Sequence, residues 1–291
     1  MRGSAPDEQT GTYRKPFLDL GLEQTFALTK LVFHDVSFRD LPGSVAHSVD
    51  LSSVCSLRLI QCVYITDLFM FSMKSDYNSK INIEDLRIQI LDWDEPLLWG
   101  THDWAFTNFI TSFNSLQSVC MKVCTPWVGS RSGYPRLIDI WRYHPGLRVY
   151  YVDFGNENDL SLRDMDSLAS YCPGIDVFGS RDVVLGAPIH DGEWSEFDDE
   201  APYITETLAA EFRELKTWKI HYNTGPLFEY EDGDDVRRLV AACLFGFFRE
   251  ACEEYKVECK LKTVILSDQD DVIPDHIFLR DGLSQGLTHS F

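Results

Sequence analysis

A six-residue apolar frame, Φ-x-x-Φ-x-Φ, recurs along almost the whole chain and constrains its fold more than any other feature. It reads Leu28/Leu31/Phe33, Val54/Leu57/Leu59, Ile83/Leu86/Ile88, Leu116/Val119/Met121, Leu147/Tyr150/Val152, Ile175/Phe178, Leu215/Trp218/Ile220 and Leu261/Val264/Leu266. The frames start 26, 29, 33, 31, 28, 40 and 46 residues apart. A short unit with one apolar edge cannot bury that edge alone, so the pattern predicts units that stack and cover one another. Within each frame the final apolar positions are two apart, which is the period of a strand with one face in a core.

The segments between frames carry helical periodicity at Trp104–Phe113, Leu137–Tyr143, Leu160–Tyr171, Tyr203–Leu215 and Val236–Tyr255. In the last, apolar residues at 236, 239, 240, 243, 244, 247, 251 and 255 form one broad stripe. Two helix ends share a phrase, Tyr143-His144-Pro145-Gly146-Leu147 and Tyr171-Cys172-Pro173-Gly174-Ile175. There Pro stops the helix and Gly releases the chain into the next strand. Phe113-Asn114-Ser115-Leu116 and Phe212-Arg213-Glu214-Leu215 occupy the same place. Residues 1–23 are expected to be a flexible or capping lead-in, 24–268 a stack of about eight units, and 269–291 a tail or cap. Acidic insertions near 184–202 and 224–235, rich in Gly, Pro, Asp and Glu, account for the two long steps.

This arrangement resembles the leucine-rich repeat, L-x-x-L-x-L-x-x-N/C-x-L. Three residues after the last core position, where that family places Asn or Cys, stand Cys62, Cys124 and Asn223; Val36, Leu91, Gly155, Val183 and Gln269 depart from it. The Pro-Gly-Leu and Cys-Pro-Gly-Ile junctions are similar to those of divergent, fungal-type F-box/leucine-rich-repeat proteins. The resemblance implies an α/β solenoid with a parallel sheet on its concave face and helices or irregular turns outside. It also implies a non-enzymatic, substrate-receptor-like role in binding proteins, with ubiquitin-ligase subunits as further partners. No F-box is recognisable: Leu41-Pro42-Gly43-Ser44-Val45 lacks the amphipathic continuation of a helix hairpin.

The chain carries 46 acidic against 26 basic residues, a formal charge of −20, which disfavours nucleic acid as a partner. The longest apolar run, Leu239 to Phe248, falls short of the roughly 18–20 residues of a membrane span. With no signal-like segment in the polar first twenty residues, a cytoplasmic or nuclear protein is expected. The eight cysteines are too dilute for a disulfide scaffold and show no C-x-x-C, so reduced thiols and no metal are expected.

Phosphate-binding, zinc-protease, nucleophile-elbow and dinucleotide motifs are missing from the sequence. Gly129-Ser130-Arg131-Ser132-Gly133 has Arg at the nucleophile position, and Asp268-Gln269-Asp270-Asp271 lacks the Gly and Glu of a calcium loop. The one enzymatic alternative is a barrel glycoside hydrolase with Glu157 as acid/base, Asp92, Asp94 or Glu95 as second carboxylate, and Trp93 and Trp99 as sugar platforms. Such a barrel needs about 250 residues in eight strand–helix units, and several units here lack a convincing helix. Neither an enzyme nor a cofactor is expected.

The binding residues follow from strand register. With Leu147, Tyr150 and Val152 inward, Tyr151 and Asp153 must face outward. The same offset selects Val32 and His34, Arg58 and Ile60, Arg87 and Gln89, Cys120 and Lys122, Gly179 and Arg181, Lys219 and His221, then Ile265 and Ser267. Arg58, Arg87, Lys122, Arg181 and Lys219 stand in that row against the single acid Asp153. A basic face on an acidic body fits an acidic protein or peptide, with His34, Gln89, Tyr151 and His221 as further contacts. A scaffold bound through the acidic insertions is the competing expectation.

Overall fold

The computed structural model describes residues 28–36, 38, 51–62, 64–74, 81–90, 103–123, 137–153, 162–180, 200–222, 233–268, 276–280 and 284–286. Its centre is one ten-stranded sheet whose strands lie side by side in strict chain order. These are β1 (Lys30–His34), β2 (Ser56–Ile60), β3 (Asp85–Ile90), β4 (Ser118–Val123), β5 (Val149–Asp153), β6 (Val177–Ser180), β7 (Thr217–Tyr222), β8 (Thr263–Asp268), β9 (His276–Leu279) and β10 (Ser284–Gly286). Strands β1 to β8 are all parallel. The last two strands reverse direction, β9 pairing antiparallel with β8 and β10 with β9. Both fall in the segment read from sequence as tail or cap.

Each of the strands β1 to β8 begins within the apolar frame. Leu57, Leu86, Leu147 and Leu215, the residues on which a stacked sheet depends most, are buried, as are Tyr150, Phe178, Trp218 and Val264. Leu28 departs from the frame: it is 37% exposed, lying outside the strand at the sheet's first edge. A backbone fork joins neighbouring strands just before each one begins. The amides of Cys55 and Ser56 both donate to Thr29 O, and the same two-on-one bond recurs onto the carbonyls of Cys55, Glu84, Gln117, Arg148, Asp176 and Lys216, at 2.8–3.1 Å. Thr29, Cys55, Glu84, Gln117, Arg148, Asp176, Lys216 and the final donor Lys262 are 26, 29, 33, 31, 28, 40 and 46 residues apart. Those are the steps of the apolar frame, so the longer insertions leave this contact intact.

The crossovers carry helices α1 (Ile65–Lys74), α2 (Asp103–Thr111), α3 (Leu137–Tyr143), α4 (Leu162–Tyr171), α5 (Glu200–Glu211) and α6 (Gly233–Glu254). Each packs against the next in chain order, and together with the frame residues they close one continuous core. Helix α1 was not visible in the sequence pattern, yet Ile65, Leu68 and Phe69 give it an i, i+3, i+4 edge in that core. In α6 the buried face is rotated from the expected stripe. Val240, Ala241, Leu244, Phe248, Ala251 and Cys252 are buried, while Leu239 and Tyr255 are exposed. Aromatic rings thread the core: Phe69 stacks on Phe109 at 4.5 Å, Phe109 meets Phe113, and Phe178 links Tyr150 to Phe212.

The helix-end phrases form one recurring junction. His144, Cys172 and Phe212 donate backbone N–H bonds to Ile140, Leu168 and Leu208, and Leu147, Ile175 and Leu215 return bonds to the junction carbonyls. His144, one residue past the end of α3, is fully buried. Its Nδ1 accepts from Leu116 N–H at 3.3 Å, so its Nε2–H donates to Ile110 O at 2.8 Å. Burial holds its pKa below the ordinary histidine value, with the Ile110 bond opposing. Cys172 at the same place donates to the carbonyls of Trp141 and His144. Cys62 donates to Phe33 O and Ile60 O, and burial pushes its thiol up to about 11.

Candidate functional site

Because the core helices lie against the frame side chains, the alternate strand residues line the opposite face of the sheet. Pairing aligns them in rows running across the strands. One row is Val32, Arg58, Arg87, Cys120, Tyr151, Gly179, Lys219, Ile265 and Ile277. A second holds His34, Ile60, Gln89, Lys122 and Asp153, and pairs His221 with Ser267 further along. A third, nearer the strand starts, begins Lys30, Ser56, Asp85 and Ser118.

The basic residues of this face sit in different environments. Arg58 Nη2 approaches Asp85 Oδ2 at 3.6 Å, and that carboxylate also accepts from Ser56 Oγ at 2.8 Å. On the adjacent strand, Arg87 Nη2 donates to the neutral Gln89 Oε1, at 3.1 Å. The Nε–H groups of Arg58 and Arg87 are shielded from solvent and have no acceptor among the described residues. A buried donor left without a partner costs about 1–3 kcal/mol, so these two mark a place able to gain from an incoming acceptor. Adjacent parallel strands are about 4.8 Å apart, which sets the two guanidinium-bearing residues side by side. Burial raises the Cys120 thiol pKa beside them, while the charges of Arg87, Lys219 and Lys122 oppose that rise.

The far half of the row is built differently. Lys219 Nζ lies 5.2 Å from the centroid of the Tyr151 ring, a cation–π contact. Gly179 makes it possible, because a Cβ there would run into Tyr151 Cδ2 and crowd Lys219 Cβ.

The structure keeps the expected face but narrows its accessible part. His34 is exposed, and Arg58, Arg87, Gln89 and Lys219 are half-buried. The expectation of an open row fails at Lys122 and Tyr151, each 7% exposed, and at Asp153, 2% exposed. Ile265 and Ser267 are buried as well. These side chains alternate outward as expected; alternation sets which face they take, not how far solvent reaches it. His221 pairs through its backbone, and its side chain, like the whole of Arg181, is outside the described residues. So are Cys124, Asn223, Glu157, Asp92, Asp94, Glu95, Trp93, Trp99, residues 1–23 and most of both acidic insertions.

Asp85 was missed, and with it Asp153 ceases to be the single acid. The alternation that turns Arg87 outward also turns Asp85 outward, so the signal was present one step earlier on the same strand. Among the described residues no group of three or more His, Cys, Asp or Glu is placed to hold a metal, and no helix is long and apolar enough to cross a membrane. No protein-family model matches this chain, and no curated protein matches it either.

Proposed function

We propose that this chain is a leucine-rich-repeat-like solenoid, related to F-box/leucine-rich-repeat receptors, that binds an acidic segment of a partner protein and performs no chemistry. Support for the solenoid comes from the sequential parallel strands, the helices packed in chain order and the backbone fork that keeps the frame's spacing. The cytoplasm or nucleus suits such a receptor, and ubiquitin-ligase subunits are its candidate further partners. The observation that carries the binding role is the neighbouring pair Arg58 and Arg87. Among the described residues their Nε–H groups lack acceptors, and Asp85 pairs with Arg58. Carboxylates of the partner pair with the accessible parts of these half-buried guanidinium groups.

The test uses a fluorescein-labelled peptide of alternating Glu and Gly, titrated with the full chain at low salt and followed by polarisation. Arg58→Glu/Arg87→Glu should weaken binding at least about tenfold, because each lost charge-assisted bond is of order 1.5–3 kcal/mol and tenfold is 1.4. Added salt should weaken the parent's binding too. Equal affinity of parent and variant overturns the reading. Capture of a basic Lys/Gly peptide instead points to the acidic insertions and to a scaffold.

A further inference from the structure

The end of α6 and the segment that returns from it carry two thiols, Cys252 and Cys259, seven positions apart in sequence. Helix α6 stops where Lys256 takes the left-handed conformation, φ 56°. Val257 N–H reaches back to Cys252 O at 2.9 Å and Lys256 N–H to Glu253 O at 3.2 Å. This pair of bonds is the Schellman arrangement, which turns the chain back along the helix it has just left. The returning segment packs Val257 and Cys259 against the core beside the last helical turn, where Cys252 is 2% exposed. Cys259 is the side chain that, after burial, acts on the Cys252 thiol. Arg280, just after β9, donates through Nη1 to Cys259 O at 3.1 Å and contacts Cys259 Sγ at 3.9 Å. Both cysteines are free thiols, and Cys259 is only half-buried.

We propose that Cys252 and Cys259 are a redox-active dithiol, converted to an intramolecular disulfide by a low-molecular-weight disulfide such as oxidised glutathione. Three of the other described thiols are differently placed. Cys62 and Cys172 each donate to two backbone carbonyls, and Cys55 donates to Ser53 O.

The environments assign an order of events. Cys259 is the more accessible sulfur, so its thiolate attacks one sulfur of the reagent. That S–S bond breaks, a mixed disulfide forms on Cys259, and the first half of the reagent departs as a thiolate. Cys252 then loses its proton to the departing thiolate and attacks Cys259 Sγ, expelling the second half as a thiolate that takes its proton from water. Two protein thiols are oxidised and one disulfide is reduced to two thiols. Burial, followed by the neighbouring Cys259, pushes the Cys252 thiol up to about 12, which suits the resolving role and not the first attack. The two sulfurs must close to about 2.05 Å, a movement the half-buried return segment can make more readily than the helix. The bond would staple the helix end to the approach of β8.

The test treats the folded full-length protein with oxidised glutathione, blocks remaining thiols, and maps peptides by mass. The expected product joins Cys252 to Cys259 with the loss of two hydrogens, and dithiothreitol reverses it. Cys252→Ser should stop at a glutathione adduct on Cys259. Cys259→Ser should leave Cys252 unmodified. Cys252→Ala repeats the first variant without a buried hydroxyl, in case the Ser variant fails to fold. Free thiols at both positions in the treated parent overturn the proposal. So does an adduct on Cys252 in Cys259→Ser, or a disulfide that pairs either residue elsewhere.

Discussion

His144→Phe separates hydrogen bonding from packing at the recurring helix-end junction. Phenylalanine stands at the equivalent place in two other units, as Phe113 and Phe212, so the site accepts its shape. The new ring would keep the contact that His144 makes with Phe113, whose centroid is 5.1 Å away. What it removes is the acceptor for Leu116 N–H and the donor to Ile110 O, both in fully enclosed surroundings. Each orphaned backbone group costs about 1–3 kcal/mol, and the more apolar ring returns part of it, leaving a loss of about 2–4 kcal/mol. A second signature is the pH dependence. The unfolded imidazole takes a proton as pH falls through about 6.5, whereas the buried ring, with its pKa held lower, stays neutral further down. The unfolded chain therefore binds more protons in that window. The contribution of His144 is fully present above the unfolded pKa and is lost as pH falls through it toward the folded one, by at most about 1.4 kcal/mol per pH unit. Urea unfolding followed by far-ultraviolet circular dichroism at about pH 7.5 and about pH 5.5 reads both effects. The parent should lose more stability than the variant on acidification, so the gap between them narrows. A gap below about 0.5 kcal/mol at neutral pH, or one that does not change with pH, refutes the assignment of His144 as a neutral bridge.

Gly179→Ala should cost about 1–3 kcal/mol by thermal unfolding, since its new Cβ must displace the Tyr151 ring. The Gly179→Ala/Tyr151→Ala double variant should then fall short of the sum of the single losses. Leu86→Ala, at a fully buried frame position on β3, should cost about 2–5 kcal/mol; a loss under 1 would mean the frame is not the core.

The strands were legible because their signal is local: one apolar edge, period two, repeated with the same phase. Four of the helices were legible for a similar reason, through the Pro-Gly junctions and their equivalents. Helix α1 escaped because Ile65–Lys74 is apolar on nearly every side, with Phe69, Met70, Phe71 and Met73 obscuring any stripe. In α6 the stripe was misplaced because an apolar residue on a long helix can lie on either flank, and contacts with neighbouring elements decide which flank is covered. The binding face was legible as a register but not as a surface. Arg58 and Arg87 took the expected side, yet the burial of Lys122, Tyr151 and Asp153 depends on distant parts of the chain, which no local alternation encodes.

The forked bonds onto Thr29, Cys55, Glu84, Gln117, Arg148, Asp176 and Lys216 connect the strands in series, one rung to each neighbour. Tension applied across the sheet would therefore load the rungs like links of a chain, with failure at the weakest and extension in discrete lengths. Each released segment of 26 to 46 residues would extend by roughly 90 to 160 Å at about 3.4 Å per residue. The sequence steps of the apolar frame would be readable as a staircase of lengths, with the longest treads at β6–β7 and β7–β8, where the acidic insertions lie.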